Sequence, residues 1–138
     1  MILLDTDHLT VLSDQRHSRH DRLMNRLSTV QTSIPIVVAE EQLRGFLALI
    51  HRYRDVKQQL WAYERLFELL KALQVNEIVP FGAIAHEKYL DLTKIKPRIG
   101  TEDLKIASIA LTHDALLISN NLKDFKRIPG LKVESWIE

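Results

Sequence analysis

The chain has 138 residues, 46% of them apolar, which is enough for one domain with a buried core and too few for two ordinary domains. Its 19 Lys and Arg against 18 Asp and Glu leave a formal charge of +1, so no global excess of positive charge advertises nucleic-acid binding, and any such site must be local. Cysteine is absent, which excludes disulfides and thiolate metal sites and fits a reducing compartment. No apolar run approaches the roughly 18 to 20 residues of a bilayer span and the first residues carry no basic leader, so a soluble, cytoplasmic protein is expected.

Ile2, Leu3 and Leu4 form a continuous apolar run closed by Asp5, the pattern of a strand buried on both faces and ended by a polar turn. Asp7 is expected to cap a helix over residues 8–13, and Leu23, Leu27 and Val30 mark a second short amphipathic helix. A strand should end near Ile34 and Pro35, since proline withholds a ladder donor yet suits the first turn of a helix. From Ala39 onward Leu43, Phe46, Leu47 and Ile50 recur at helical spacing. Val56, Leu60, Tyr63, Leu66, Phe67, Leu70 and Leu73 do so more strongly, and most of that apolar face is expected in the core. Residues 76–80 read as a strand, followed by a helix with Ile84, Ala85, Tyr89 and Leu92 on one face and a break at 97–100. Thr101 is expected to cap a helix over residues 102–113, apolar nearly all round through Leu104, Ile106, Ala107, Ile109, Ala110 and Leu111. A buried strand at 115–118 ends in Ser119, Asn120 and Asn121, and a short turn or helix through Phe125 leads to a last strand near 132–134. The alternation predicts an α/β fold in a single domain over 1–138: a three-layer sandwich with a mainly parallel central sheet, whose ligands bind at the carboxyl ends of the strands.

Carboxylates fall at those ends. Asp5 closes the first strand, Glu41 lies in the first turns after the second, Asp103 opens the buried helix and Asp124 follows the fourth strand. Clustered, partly desolvated acids resist ionisation unless a counter-ion is supplied. Magnesium and manganese are hard cations that prefer carboxylate oxygen, use one or two protein acids plus substrate phosphate, and activate water for attack on a phosphodiester. Each acid also has a plainer role: Asp5 as a turn residue, Asp103 as a complement to its helix dipole, and Asp124 as a loop acid paired with Lys123 or Lys126. Glu40 stands four residues before Arg44, the spacing of a surface ion pair, whereas Glu41 shares its row with Gly45 and Ala48, whose small side chains leave room for a cleft. Glu41 is therefore preferred, with Glu40 as the fallback.

Four segments resemble the PIN-domain family, and particularly its VapC branch: Leu3-Leu4-Asp5-Thr6-Asp7, Glu41-Gln42-Leu43-Arg44-Gly45, residues 99–107 around Asp103, and Ser119-Asn120-Asn121-Leu122-Lys123-Asp124-Phe125 with residues 128–131. They occur in the family's order and spacing from Ile2 to Trp136. The resemblance implies a metal-dependent endoribonuclease with a Mg2+ or Mn2+ site that uses Asp5 and Asp103 most directly and is completed by Glu41 and Asp124. It further implies the toxin of a toxin-antitoxin pair, restraint by a VapB-type antitoxin, pairing into a homodimer, and an RNA substrate for which transfer RNA is the candidate. Asp7 replaces the more usual Asn, as an extra ligand or a helix cap, of which the cap is favoured. Asn121 stands where many relatives carry an acid, so that the fourth ligand is either weakened there or supplied by Asp124 alone. Thr6 and Ser119 would orient water or the carboxylates.

Basic clusters at residues 16–22, 51–54, 94–98 and 123–127 could hold phosphates, with Lys123, Lys126 and Arg127 favoured because they flank the acids. The six histidines show no ligand spacing and are read as surface or packing residues. Two rivals remain. The Asp5-Thr6-Asp7 run after a strand imitates a haloacid-dehalogenase-like phosphatase, and the Asn121 departure would suit a catalytically weak PIN-like module that binds RNA or antitoxin without cutting.

Overall fold

A computed structural model describes residues 1–95 and 97–138. In chain order it comprises β1 (Ile2–Leu4), α1 (Thr6–Leu12), α2 (His20–Leu27), β2 (Thr32–Pro35), α3 (Ile36–Arg52), α4 (Val56–Val75) and β3 (Glu77–Val79). These are followed by α5 (Ala83–Lys94), α6 (Thr101–Thr112), β4 (Leu116–Ile118), α7 (Leu122–Phe125) and β5 (Lys132–Glu134). The strands form one sheet in the order β3-β2-β1-β4-β5, and every pairing is parallel, with Leu3 opposite Ser33 and Leu117.

Parallel strands need crossovers, and the crossover helices cover both faces of the sheet. Successive residues of β1 point to opposite faces. Leu3 joins the larger core with Val38, Ala39, Leu69, Ile106 and Ile109 from α3, α4 and α6. Leu4 joins the smaller one with Val11, Leu23, Leu27 and Trp136. This is the expected α/β sandwich. Strand order proceeds outward from β1 through β2 to β3, then restarts on its other side with β4 and β5. The crevice of such a sheet lies at that reversal, between the carboxyl ends of β1 and β4.

Several local expectations are corrected. The first helix begins at Thr6, two residues early, because Asp5 itself has the extended backbone of an N-cap and accepts from the Thr6 N–H; Asp7 is already helical and caps nothing. Likewise the cap of α6 is Gly100, and Thr101 is its first helical residue. Pro35 leads directly into α3, which therefore starts at Ile36. Val30 lies beyond the end of α2, and Ile84 turns outward on α5, where Ala85 and Leu92 make the buried face. The largest correction concerns α4. Val56, Leu60, Tyr63, Phe67 and Leu70 are 77%, 57%, 56%, 61% and 49% exposed, while Ala62, Arg65 and Leu69 face the core. No described helix is long and apolar enough to cross a membrane.

Candidate active site

The reversal of strand order places Asp5 and Ser119 side by side, one residue past β1 and β4. Asp5 N donates to Ile118 O at 2.9 Å, extending the ladder to the edge of the sheet. The Asp5 side chain is 5% exposed, and both carboxylate oxygens are engaged: Thr6 N donates to Oδ1 at 2.7 Å and Ser119 Oγ donates to Oδ2 at 2.6 Å. Ser119 Oγ in turn accepts from Asn121 N at 3.0 Å. Thr6 Oγ1 donates to Glu41 Oε2 at 2.7 Å, drawing the first turn of α1 to α3. On the remaining side, Asn121 Nδ2 bridges Asp103 Oδ2 at 3.1 Å and Asp124 Oδ2 at 3.2 Å.

Local geometry separates Glu41 from Glu40. Arg44 sits 3.5 Å from Glu40 and also pairs with Glu102, so both of those acids are spent on one exposed arginine. Glu41 instead accepts from Thr6 Oγ1, and after burial it is the next cause that pushes the Asp103 carboxyl upward. Gly45, one turn further, has nothing within 4 Å of where a Cβ would stand, so the space beside this row is open.

Four acids from four elements thus border one region, and among the described residues no Lys or Arg forms an ion pair with Asp5, Glu41 or Asp103. Asp124 has one, with Arg127 at 3.9 Å, in place of the expected Lys123 or Lys126. The electrostatic consequence is direct. Burial raises the Asp5 carboxyl from 3.8 to about 6, with further upward push from Asp7 and Asp103 against the lowering hydrogen bonds of Ser119 and Thr6. Asp103 is raised by burial, then by Glu41 and Asp124, against the Asn121 amide. Among the described residues, no group of three or more such side chains converges tightly enough to cage an ion unaided. A hard cation that keeps several waters does not require such a cage.

Two assignments differ from expectation. Asp7 is not the cap: its Oδ1 lies 2.7 Å from His8 Nδ1, and its Oδ2 accepts from Asn120 N at 2.9 Å. His8, fully buried, is an element of the site's framework that a search for histidine ligand spacing passes over. The available signal was its place beside an acid in the first turn. Of the basic candidates, Arg127 donates to Arg98 O at 3.0 Å, while Lys123 and Lys126 are exposed. The 94–98 cluster includes Lys96, which lies outside the described residues.

A PIN domain profile matches residues 2–131. Ribonuclease VapC1 of Haemophilus influenzae strain R2866 is 34% identical over 136 residues, covering 97% of this chain and 96% of the relative. Ribonuclease VapC2 of Rickettsia felis is 44% identical over 64 residues, so that this match spans 48% of the relative, about half its length. In three dimensions, the crystal structure of VapBC2 from Rickettsia felis bound to a DNA fragment from their promoter gives a TM-score of 0.76 at 27% identity, covering 99% of both chains. VapBC-1 from nontypeable Haemophilus influenzae gives 0.73 over 100% of both. The chain belongs to the PIN-domain family, among the VapC ribonucleases of VapBC toxin-antitoxin systems.

Proposed function

We propose that residues 1–138 act as one PIN-domain unit that cleaves RNA endonucleolytically, with Mg2+ or Mn2+ held by Asp5 and Asp103 and the pocket completed by Glu41 and Asp124. The observation that carries this reading is the uncompensated charge: Asp5, Glu41 and Asp103 are gathered with no Lys or Arg in an ion pair with any of them among the described residues, and Asp5 is raised to about 6. The donor set fits the metal, being carboxylate oxygen throughout in a chain without cysteine. A bound divalent ion would supply a nucleophilic water and stabilise charge developing on the phosphodiester.

This chain's own groups have separable tasks in that scheme. Ser119 and Thr6 N hold the Asp5 carboxylate in one orientation, Thr6 Oγ1 does the same for Glu41, and the Asn121 amide fixes Asp103 against Asp124. Asn121 thereby compensates in part for the acid it replaces, by donating to the two neighbours that remain. Lys123 and Lys126, exposed next to Asp124, are positioned to meet substrate phosphates. The phosphatase rival finds no support, because the PIN-domain family accounts for residues 2–131.

The VapBC neighbours support a VapB-type antitoxin as partner. A groove of about 500 Å³ on α3, lined by Ile36, Leu43, Leu47 and Arg44, and the outward apolar face of α4 are candidate seats for an antitoxin helix or for a second copy in a homodimer. Transfer RNA is the proposed substrate.

The test is cleavage of structured RNA, transfer RNA included, by the purified protein with Mg2+ or Mn2+, with EDTA, and by Asp5→Asn and Asp103→Asn. Metal-dependent cutting lost in both variants is expected. Cutting that persists in EDTA and in both variants refutes the mechanism, and RNA binding without any cutting favours the non-catalytic module.

A further inference from the structure

The first turn of α1 carries a second polar chain that the four acids do not use. His8 has no exposed surface, and its two ring nitrogens meet different partners: Trp136 N lies 2.9 Å from Nε2 and Asp7 Oδ1 lies 2.7 Å from Nδ1. A backbone N–H can only donate. Nε2 must therefore accept, which leaves the ring's proton on Nδ1, donated to Asp7. The second Asp7 oxygen accepts from Asn120 N at 2.9 Å. Two donors thus converge on one carboxylate, and an asparagine there would accept from one and oppose the other with its amide hydrogens.

What this chain connects is informative. Trp136 follows β5 and is packed with Leu4, Val11 and Ile118 in the smaller core. Asn120 sits between Ser119, which holds Asp5, and Asn121, which holds Asp103 and Asp124. We propose that Asp7 and His8 are positioning residues of the acidic site: they fasten the 119–121 segment and the start of the C-terminal tail to the first turn of α1, and so set where Ser119 and Asn121 present the carboxylates. Neither residue touches the ion or the substrate in this role. The proposal rests on the metal-site reading above.

Outer partners of metal ligands commonly contribute 10- to 100-fold to affinity. In the full-length, metal-free protein, ¹⁵N shifts of His8 should show Nδ1 protonated and Nε2 bare. Mn2+ titration followed by electron paramagnetic resonance should show about 10-fold or greater weakening in Asp7→Asn and in His8→Ala. The double variant should be no worse than the more affected single, as expected for two groups acting as one unit. Val79→Ala, in the larger core on the edge strand β3 and separated from β1 by β2, should keep Mn2+ affinity within about twofold of the parent; this separates positioning from general destabilisation. If His8→Ala does not fold, Asp7→Asn, which leaves the imidazole in place, carries the comparison. A proton on Nε2, affinities within twofold of wild type in Asp7→Asn, or fully additive losses would each overturn the proposal, while loss of Mn2+ binding in Asp5→Asn would still uphold the metal site. Failure of the wild type to bind Mn2+, or unchanged binding in Asp5→Asn, would remove the metal-site reading and the positioning role with it.

Discussion

Replacing Asp5 by Asn removes a charge that the folded, metal-free protein holds at a cost. The carboxyl stands at 3.8 in an ordinary setting and at about 6 here, chiefly through burial. Below about pH 4 it is protonated whether the chain is folded or not, and no penalty arises. Between 4 and 6 the unfolded chain ionises first, so stability falls as pH rises. Above 6 the whole difference is felt, about 3 kcal/mol. Asparagine keeps the cap, since its carbonyl oxygen can accept from Thr6 N. Its amide nitrogen then faces Ser119 Oγ, which already accepts from Asn121 N, so about 1 kcal/mol of hydrogen bonding is given back. The net expectation in EDTA at pH 7.5 is a stabilisation of about 1–2 kcal/mol, or about 4–8 °C in Tm, that disappears by pH 4. Saturating Mn2+ should reverse the order, because only the parent gains from binding, by about 3 kcal/mol at a hundredfold excess over Kd. Urea melts at several pH values, with and without metal, measure all of this. An Asp5→Asn protein less stable than wild type in EDTA at pH 7.5 would refute the reasoning.

Other consequences can be checked in parallel. Asn121→Asp places a third carboxylate against Asp103 and Asp124, so the metal-free Tm should drop, by the equivalent of about 1–2 kcal/mol, while Mn2+ raises it by more than in the parent; calorimetric melts decide. Arg65 is buried and donates to Ser13 O and to Glu68, joining α4 to the end of α1. Its replacement by Met should cost about 2–4 kcal/mol in denaturant titrations, because the Ser13 carbonyl and Glu68 lose their donor. Leu60→Ser with Phe67→Ser, both on the exposed face of α4, should shift stability by no more than about 0.5 kcal/mol each. If that face seats the antitoxin, the same pair should weaken binding in titration calorimetry by at least tenfold, and unchanged affinity would assign the antitoxin to another surface.

Where the chain pattern encodes local physics, it was readable. Ile2, Leu3 and Leu4 could only be a strand covered on both sides, and a helix apolar on every face, as α6 is, had to be enclosed. The grouping of the acids was legible for a related reason, since Asp5 closes β1 while Glu41, Asp103 and Asp124 lie in the early turns of α3, α6 and α7, at the carboxyl edge of a parallel sheet. The outward face of α4 was misread because periodicity reports that a helix has an apolar side without reporting whether this chain supplies what covers it. Helix starts slipped by one to three residues wherever the strand or loop before them already had cap geometry, as at Asp5, Pro35 and Gly100. His8 escaped notice because its partners, Asp7 and the backbone of Trp136, lie one and 128 residues away, and only folding brings the second to the ring.

The central claim is that Asp5 and Asp103 share a hard cation. Crystals grown in Mn2+ and measured at a wavelength where manganese scatters anomalously test it most directly. The account predicts an anomalous peak within coordination distance of both carboxylates, bordered by Glu41 and Asp124. A saturated crystal with no peak there, or with manganese bound only elsewhere, would contradict it.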